Sequence, residues 1–299
     1  MIKDYVILSD TDSIYCDVVD ILKHRHPSLS LKEDDSVIPK IREIATEFEN
    51  ELNEWYVNEF SLSHFNCKKN RLKIKSETIG KRIYISAKKQ YAQLILEKEG
   101  VKMEGNKMWD FKGLDFMKSS FPKLFRTFTQ GLVKDILLDT PKHIIDDKIL
   151  EFRERFKTLS LEEAAKPTGI NKYKEYYGGK KPGQIFSNVL TKCPVNTKAA
   201  IYYNDLLKFK GLDGEHPIIQ VGDKIKWVYL TKNAYDIDVI AIHEINPPKE
   251  ILDFARKYID RQKMFDNNLY KKLEKIYTNL GWGKINFNKN VNKFFKFAK

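Results

Sequence analysis

The chain has 299 residues, of which 42% are hydrophobic and 12% aromatic, so it has enough apolar surface to form a core and is not expected to be disordered. Lys and Arg number 53 against 41 Asp and Glu, a formal net charge of +12 that favours a polyanionic partner. Three widely spaced cysteines indicate neither a disulfide framework nor a zinc site, which fits a reducing cytosol. We expect neither a signal peptide nor a membrane span.

Basic residues are concentrated in two segments. Nine Lys or Arg and a single acid, Glu77, lie between Lys68 and Lys89, and the segment 284–299 has five Lys and no acid. Clustered cations attract phosphates by Coulomb forces and counterion release, which the same charge spread evenly would do less well. Nucleic acid is therefore the predicted partner. A basic protein without a polyanionic ligand is the alternative.

The first part of the chain predicts a hairpin followed by a long helix. Two β-prone runs, 5–8 and 14–18, flank the turn sequence Ser-Asp-Thr-Asp-Ser at 9–13. Apolar residues then recur at helical spacing from a start at Asp35 or Ser36 to Tyr56. We expect this helix to pack on a sheet and to bury its aromatic stripe in the core.

Three more strands are predicted before residue 110. Alternating apolar residues indicate strands at 72–78, 82–86 and 91–97, with turns at Gly80 and at Lys88–Lys89. Together with the hairpin and the helix, these strands predict one sheet-and-helix domain over 1–110.

A mainly helical region with a small β element is predicted over 111–285. The predicted helices are one begun by Pro122 and capped by Ser119 or Ser120, one at 141–157, a short one with a capping box at Ser160 and Glu163, one at 196–208, and two within 248–280. Strand-like stretches at 217–221, 226–231 and 239–244 supply the β element. A basic loop is predicted at 172–183 and a flexible tail at 286–299.

Asp10 and Asp12 are the first candidates for chemistry. Two carboxylates one residue apart at the tip of a hairpin present oxygens to a hard divalent cation, while the paired backbone holds them rigid. An Asp side chain also satisfies the amides of its own turn, so ordinary turn chemistry is the alternative for this pattern.

Residues 8–13, Leu-Ser-Asp-Thr-Asp-Ser, resemble motif C of the family B DNA polymerases, usually written Tyr-Gly-Asp-Thr-Asp-Ser. The resemblance implies that Asp12 is the metal ligand and that Asp10 supports the turn and the local field. Ser9 stands where the family has Gly, and Gly permits backbone angles and close DNA contacts that Ser tolerates less well.

Residues 87–92, Ala-Lys-Lys-Gln-Tyr-Ala, are similar to the Lys-Lys-x-Tyr motif with which that family grips the primer-template. Two ammonium groups neutralise backbone phosphates and a nearby Tyr packs on sugar or base, so the resemblance implies DNA binding by Lys88, Lys89 and Tyr91. A solvated basic turn is the alternative. Glu77 aligns with a third acidic residue near the polymerase centre, or is only a charge partner of the surrounding lysines.

Residues 112–115, Lys-Gly-Leu-Asp, and 118–123, Lys-Ser-Ser-Phe-Pro-Lys, resemble the palm-to-thumb junction of the family, in particular that of the T-even-type phage enzymes, and 193–204 resembles their thumb. The DNA-binding residues implied here are Lys112, Lys118, Ser119, Ser120, Lys180, Lys181 and Lys198. Hydroxyls and unpaired N–H groups at a helix start bind phosphate well. A plain N-cap and solvated basic loops are the alternatives.

Residues 292–297, Asn-Lys-Phe-Phe-Lys-Phe, resemble the sliding-clamp-binding tail of phage replicative polymerases. Aromatic side chains on a polar tail suit docking into an apolar pocket, which implies clamp contacts for Phe294, Phe295 and Phe297. Packing of the tail back on the thumb is the alternative.

The resemblance covers nearly the whole chain and implies an α+β fold. It places the carboxyl-terminal half of an antiparallel palm sheet, with its packed helix, at 1–110. A mainly helical thumb with a small β element follows at 111–285, and a flexible clamp-binding tail at 286–299.

Motifs A and B of the family, which supply another metal-binding Asp and hold the incoming nucleotide, would lie before Met1, and Met1 is only nine residues ahead of Asp10. We therefore expect the carboxyl-terminal subunit of a split DNA polymerase, a truncated polymerase being the other explanation. Its amino-terminal partner chain would supply the exonuclease, fingers and motif A. Two Mg²⁺ ions would be shared between Asp12 and a partner Asp, with primer-template DNA and dNTP as substrates and the cytoplasm of a phage-infected host cell as location.

Two other functions fit parts of the pattern. A non-catalytic accessory subunit that binds DNA or the clamp would explain the charge, with Asp10 and Asp12 as vestigial acids. A nucleotide-sugar transferase also uses Asp-x-Asp to hold a metal diphosphate. That enzyme needs a nucleotide-binding α/β unit ahead of the acids, which nine residues cannot form.

Overall fold

A computed structural model describes residues 4–285 and 287. The chain forms two compact units, Met1–Gly113 and Leu114–Lys299, so the division falls close to the predicted domain boundary at 110. Both units combine helices with antiparallel sheets, and the predicted α+β class is confirmed. No helix in the described part of the chain is long and apolar enough to cross a bilayer.

The first unit contains a two-stranded and a four-stranded sheet. The predicted hairpin pairs β1 (Val6–Asp10) with β2 (Ser13–Cys16), and no third strand joins it among the described residues. The larger sheet is antiparallel, and β4 pairs with each of its other strands. Its strands are β3 (Thr78–Ala87), β4 (Gln90–Lys98), β5 (Val101–Lys102) and β6 (Trp109–Lys112).

The predicted division into strands 72–78 and 82–86 is wrong. A single strand, β3, begins at Thr78, and Gly80 lies inside it at a point where the register against β4 shifts. A glycine within a strand commonly marks such a bulge, which local reasoning mistook for a turn. The turn at Lys88–Lys89 is confirmed, with Lys89 at φ 60°.

Two helices belong to this unit. The first helix, α1 (Val19–Arg25), was not predicted, and its Leu22 packs against Val37 and Ile44 of α2 (Asp34–Trp55). On the other side α2 packs on the four-stranded sheet, where Ile38 is buried with residues 79 and 96, as predicted. The prediction that its aromatic stripe is core is wrong at Trp55, which is 45% exposed and whose ring contacts Tyr56 and Phe60 of the following π-helix, Tyr56–His64.

The second unit has a three-stranded antiparallel sheet in the order β7 (Lys166–Gly169), β8 (Lys224–Tyr229) and β9 (Val239–His243). All five residues of β9 are buried, and α6 packs on it. The helices are α3 (Lys123–Leu137), α4 (Lys142–Phe156), α5 (Leu161–Ala164), α6 (Val195–Phe209), α7 (Lys249–Tyr258), α8 (Arg261–Phe265) and α9 (Lys271–Asn279).

Most predicted elements of this unit are present, with three corrections. The capping box of Ser160 and Glu163 is confirmed at α5. The expected cap of α3 by Ser119 or Ser120 is wrong, because Pro122 is its N-cap and no side chain caps it. The stretch 217–221, predicted as a strand, is not one. Strand β7 was not predicted, because Pro167 suggested a break in the secondary structure. Proline is tolerated in β7 because this is an edge strand that pairs with β8 alone.

Candidate active site

The hairpin presents two carboxylates at its turn. Asp10 ends β1 and lies opposite Ser13, and Asp12 is exposed in the turn between the strands. The Thr11 amide donates a hydrogen bond of 2.8 Å to Asp10 Oδ1, and Lys89 Nζ lies 3.2 Å from the same oxygen. The Thr11 amide first, and then Lys89, lower the pKa of the Asp10 carboxyl below its ordinary value. Asp10 therefore stays ionised and adds negative charge beside Asp12.

Asp12 could contribute one oxygen ligand to a divalent cation. Carboxylate oxygens suit Mg²⁺, which is usually bound by one or two protein carboxylates together with water and substrate phosphates. In the described residues there is no group of three or more His, Cys, Asp or Glu that could hold a metal ion.

Two tyrosines join the hairpin to the four-stranded sheet. The hydroxyls of Tyr15 on β2 and Tyr91 on β4 are 2.9 Å apart, and their rings meet edge to face with centroids 5.6 Å apart. Burial first, and then the hydrogen bond to Tyr15, raise the pKa of Tyr91, so this phenol stays neutral. The contact brings the Asp-Thr-Asp and Lys-Lys-x-Tyr segments, distant in sequence, to one place.

Lysines converge at the same end of the four-stranded sheet. Lys88 and Lys89 form the β3–β4 turn, and Lys112 on β6 pairs with Tyr91 in the sheet register. All three lysines are exposed. The chain leaves this strand at Gly113, which has φ 59° and where a Cβ atom would lie 2.1 Å from the Lys89 carbonyl oxygen. Only glycine permits this close approach, which keeps the two basic segments together.

Glu77 does not lie at this place. It precedes β3 at the end opposite the Lys88–Lys89 turn, and ten residues of strand separate the two ends. At about 3.3 Å per residue that separation is roughly 30 Å. The interpretation of Glu77 as a third acid beside Asp10 and Asp12 is therefore not consistent with the fold, because the strand predicted to end at 78 actually begins there.

The candidate DNA-binding residues of the second unit differ in exposure and in whether an acidic side chain already pairs with them. Lys180 and Lys181 are exposed in the loop before α6, and Ser119 and Ser120 are exposed in the turn before α3. Lys118 forms an ion pair of 2.7 Å with Asp115. Lys198 is half-buried and pairs with Asp238 at 2.8 Å, so its charge is already balanced within the unit. Phe294, Phe295 and Phe297 lie outside the described residues.

Sequence reasoning missed an apolar groove between the hairpin and the end of α2. The groove encloses about 620 Å³, and Val6, Ile14, Phe48, Leu52 and Trp55 supply its apolar surface. A signal was present in the sequence, because Tyr5-Val6-Ile7-Leu8 is a continuous apolar run rather than an alternating one. Such runs are typical of strands covered on both faces.

A scan against models of known protein families finds none that matches this chain, and a search of curated proteins finds no similar one. The resemblance to family B DNA polymerases therefore depends on the motifs and on the geometry described above.

Proposed function

We propose that this chain is the carboxyl-terminal subunit of a split family B DNA polymerase, supplying half of the catalytic palm and the thumb. The observation that supports it best is the meeting of the Asp-Thr-Asp turn with the Lys-Lys-x-Tyr turn. Asp10 and Lys89 are 3.2 Å apart, and Tyr15 and Tyr91 are 2.9 Å apart. A polymerase needs these two chemistries side by side, since acids must hold metal where cations hold the primer-template.

Each residue has a role in this proposal. Asp12 would hold Mg²⁺ together with an Asp of the partner polypeptide, and the two ions supply activation of the primer 3′-hydroxyl and charge stabilisation on the triphosphate. Asp10 orders the turn through the Thr11 amide. Lys88, Lys89 and Lys112 would contact backbone phosphates, which position the duplex without reading its sequence.

The uncovered hairpin supports the need for a partner polypeptide. A two-stranded hairpin is marginally stable by itself, and contiguous exposed apolar surface marks interaction sites. Val6, Ile7 and Ile14 are 42%, 43% and 48% exposed, on strands whose outer edges pair with no described strand. We propose that the partner carrying motif A packs on this groove. The proposal also includes binding of a sliding clamp by the Phe-rich tail. It places the complex in the cytoplasm of a phage-infected cell.

The test is primer extension by the mixed subunits. Asp12→Ala should lower the extension rate by on the order of 10³-fold, because charge developing on the phosphoryl group is then uncompensated. Asp213→Ala, which removes an exposed turn carboxylate of the second unit, is the matched control and should leave extension unchanged. Duplex binding by both variants should equal that of the unmodified chain. Extension by this chain alone, or full activity of Asp12→Ala in the complex, contradicts the proposal.

A non-catalytic DNA-binding or clamp-binding accessory subunit is the second candidate. The Asp10–Lys89 ion pair favours it, because one of the two acids is held by a cation of the same chain. This candidate predicts salt-dependent duplex binding together with no effect of Asp12→Ala on the assembled enzyme.

A further inference from the structure

A basic segment follows the long helix and the π-helix of the first unit. All of its cations are exposed, and they are Lys68, Lys69, Arg71, Lys73 and Lys75. In the described part of the chain none of them forms an ion pair with an Asp or Glu. Exposed charge of one sign on neighbouring positions, without an internal partner, favours a polyanionic ligand.

Side chains of α2 fix the backbone of this segment. Residues 71–77 contain no helix, turn or bend. The N–H and the carbonyl of Ile74 are both hydrogen-bonded to the side-chain amide of Asn53, at 2.8 and 2.9 Å, and the Ser76 amide donates to Glu49 at 3.1 Å. Alternate residues of an extended chain share a side and lie about 6.6 Å apart, so the last three cations form a row. A fixed row of this kind suits successive phosphates of one strand.

An exposed aromatic ring lies beside the cation row. Phe65 is 63% exposed, and its ring meets that of Phe60 with centroids 4.8 Å apart. Phe60 belongs to the π-helix Tyr56–His64, and the Phe65 amide donates to its carbonyl at 3.2 Å. The next residue of this helix, Ser61, donates a hydrogen bond of 2.8 Å to Asn70 Oδ1, which brings the start of the row close to the ring. Helices of this type are rare and frequently occur at functional sites.

The combination of an uncovered ring and a cation row selects among polyanions. An acidic peptide offers charge without planar faces. Binding to an anionic membrane surface usually uses a helix with a broad apolar face, and residues 65–77 form no helix. A nucleic-acid single strand offers both features, because its bases stack on aromatic side chains while its phosphates contact cations. In a duplex the bases already stack on one another, so a duplex matches only the cations.

We propose that Phe65 and the basic segment 68–75 bind single-stranded nucleic acid without sequence preference. One base stacks on the Phe65 ring, and successive phosphates contact the cation row. The ten residues of β3 separate this surface from the Lys88–Lys89 turn, a distance of roughly 30 Å. It is therefore a different surface from the one that meets Asp10 and Asp12, and it does not depend on the proposed polymerase function.

The first test measures binding of a fluorescent oligothymidylate to the full chain by anisotropy at several salt concentrations. Each phosphate contact with a single strand contributes about 0.7 to the slope of log affinity against log salt. Arg71→Gln with Lys73→Gln should therefore reduce the slope by about 1.4. Lys208→Gln with Lys210→Gln is the matched control, since these exposed lysines flank the exposed Phe209 in the second unit, and it should leave the slope unchanged. Equal slopes for the two double variants overturn the proposal.

The second test removes the ring. Phe65→Ala should weaken oligothymidylate binding about fivefold or more, the effect of losing one stacked base, and leave duplex binding unchanged. Phe65→Trp keeps a stacking face and should restore the affinity, which separates stacking from misfolding. Phe209→Ala is the control and should have no effect. An equal loss of single-strand and duplex affinity in Phe65→Ala overturns the proposal.

Competition identifies the class of ligand. Polyglutamate and vesicles of anionic phospholipid, at equal charge concentration, should displace the oligothymidylate poorly, and an oligouridylate of the same length should displace it as well as unlabelled oligothymidylate does. Equal displacement by polyglutamate or by vesicles overturns the proposal. Primer extension by the mixed subunits reports separately on the proposed function, because these variants leave Asp12 and the Lys88–Lys89 turn unchanged.

Discussion

Two small antiparallel sheets in this protein contain similar apolar runs, but one run is buried and the other is partly exposed. In β9 the sequence Val-Ile-Ala-Ile-His is buried at all five positions, with β8 beside it and α6 and α7 packed against it. In β1, Val6 and Ile7 are 42% and 43% exposed, because the hairpin has no third strand among the described residues and has an apolar groove beside it. The second unit thus covers its own strands, whereas the first has surface suited to another polypeptide.

The largest effect should come from truncating matched isoleucines in the two sheets. Ile240→Ala in fully buried β9 should lower the free energy of unfolding by about 2–5 kcal/mol, because it removes buried methylenes and leaves a cavity. Ile14→Ala on the hairpin should cost less than about 1 kcal/mol in the isolated chain, since its side chain is already 48% exposed. Urea denaturation followed by hydrogen exchange, which resolves the two units, measures both. Equal losses would remove the contrast.

An intermediate effect is expected on the association of this chain with the proposed motif A polypeptide. Ile14→Asp puts a charge into the groove and should weaken binding of the motif A polypeptide by about tenfold or more, roughly 1.4 kcal/mol, because the carboxylate would have to be desolvated. Ile245→Asp is the matched control, since Ile245 is also exposed but lies in the second unit. Isothermal titration of the two subunits measures it. Equal affinities for both variants would show that the groove is not the interface.

The smallest expected effect is a change in how the stability of the second unit depends on acidic pH. Hydrogen bonds from Lys118 first, and then from Lys272, lower the pKa of Asp115 to about 2. A depressed folded-state pKa stabilises the protein above the unfolded value near 4, and that stability is lost as pH falls toward 2. After allowance for partial exposure the contribution is about 1 kcal/mol. Asp115→Asn should lower stability at pH 7 and flatten its decline between pH 4 and 2 in urea titrations. The same slope in both proteins would contradict this assignment.

Local chemistry alone determined much of the secondary structure. The hairpin at 5–18, the long helix before Tyr56, the Lys88–Lys89 turn and the capping box of Ser160 and Glu163 were predicted because each depends on residues a few positions apart. Covalent spacing fixes which side chains share a helix face or a turn, so a sequence contains that information directly.

Tertiary structure decided which distant residues meet. Gly80 became a bulge and Pro167 an edge-strand residue because of the strands beside them, and Glu77 lies at the far end of β3 from Asp10 because that strand is unbroken. Lysines that look alike in the sequence also differ in their partners: Lys198 meets the distant Asp238, while Lys166 meets the ring of Trp227. The charge a lysine offers to a phosphate depends on such long-range neighbours, and no local pattern specifies them.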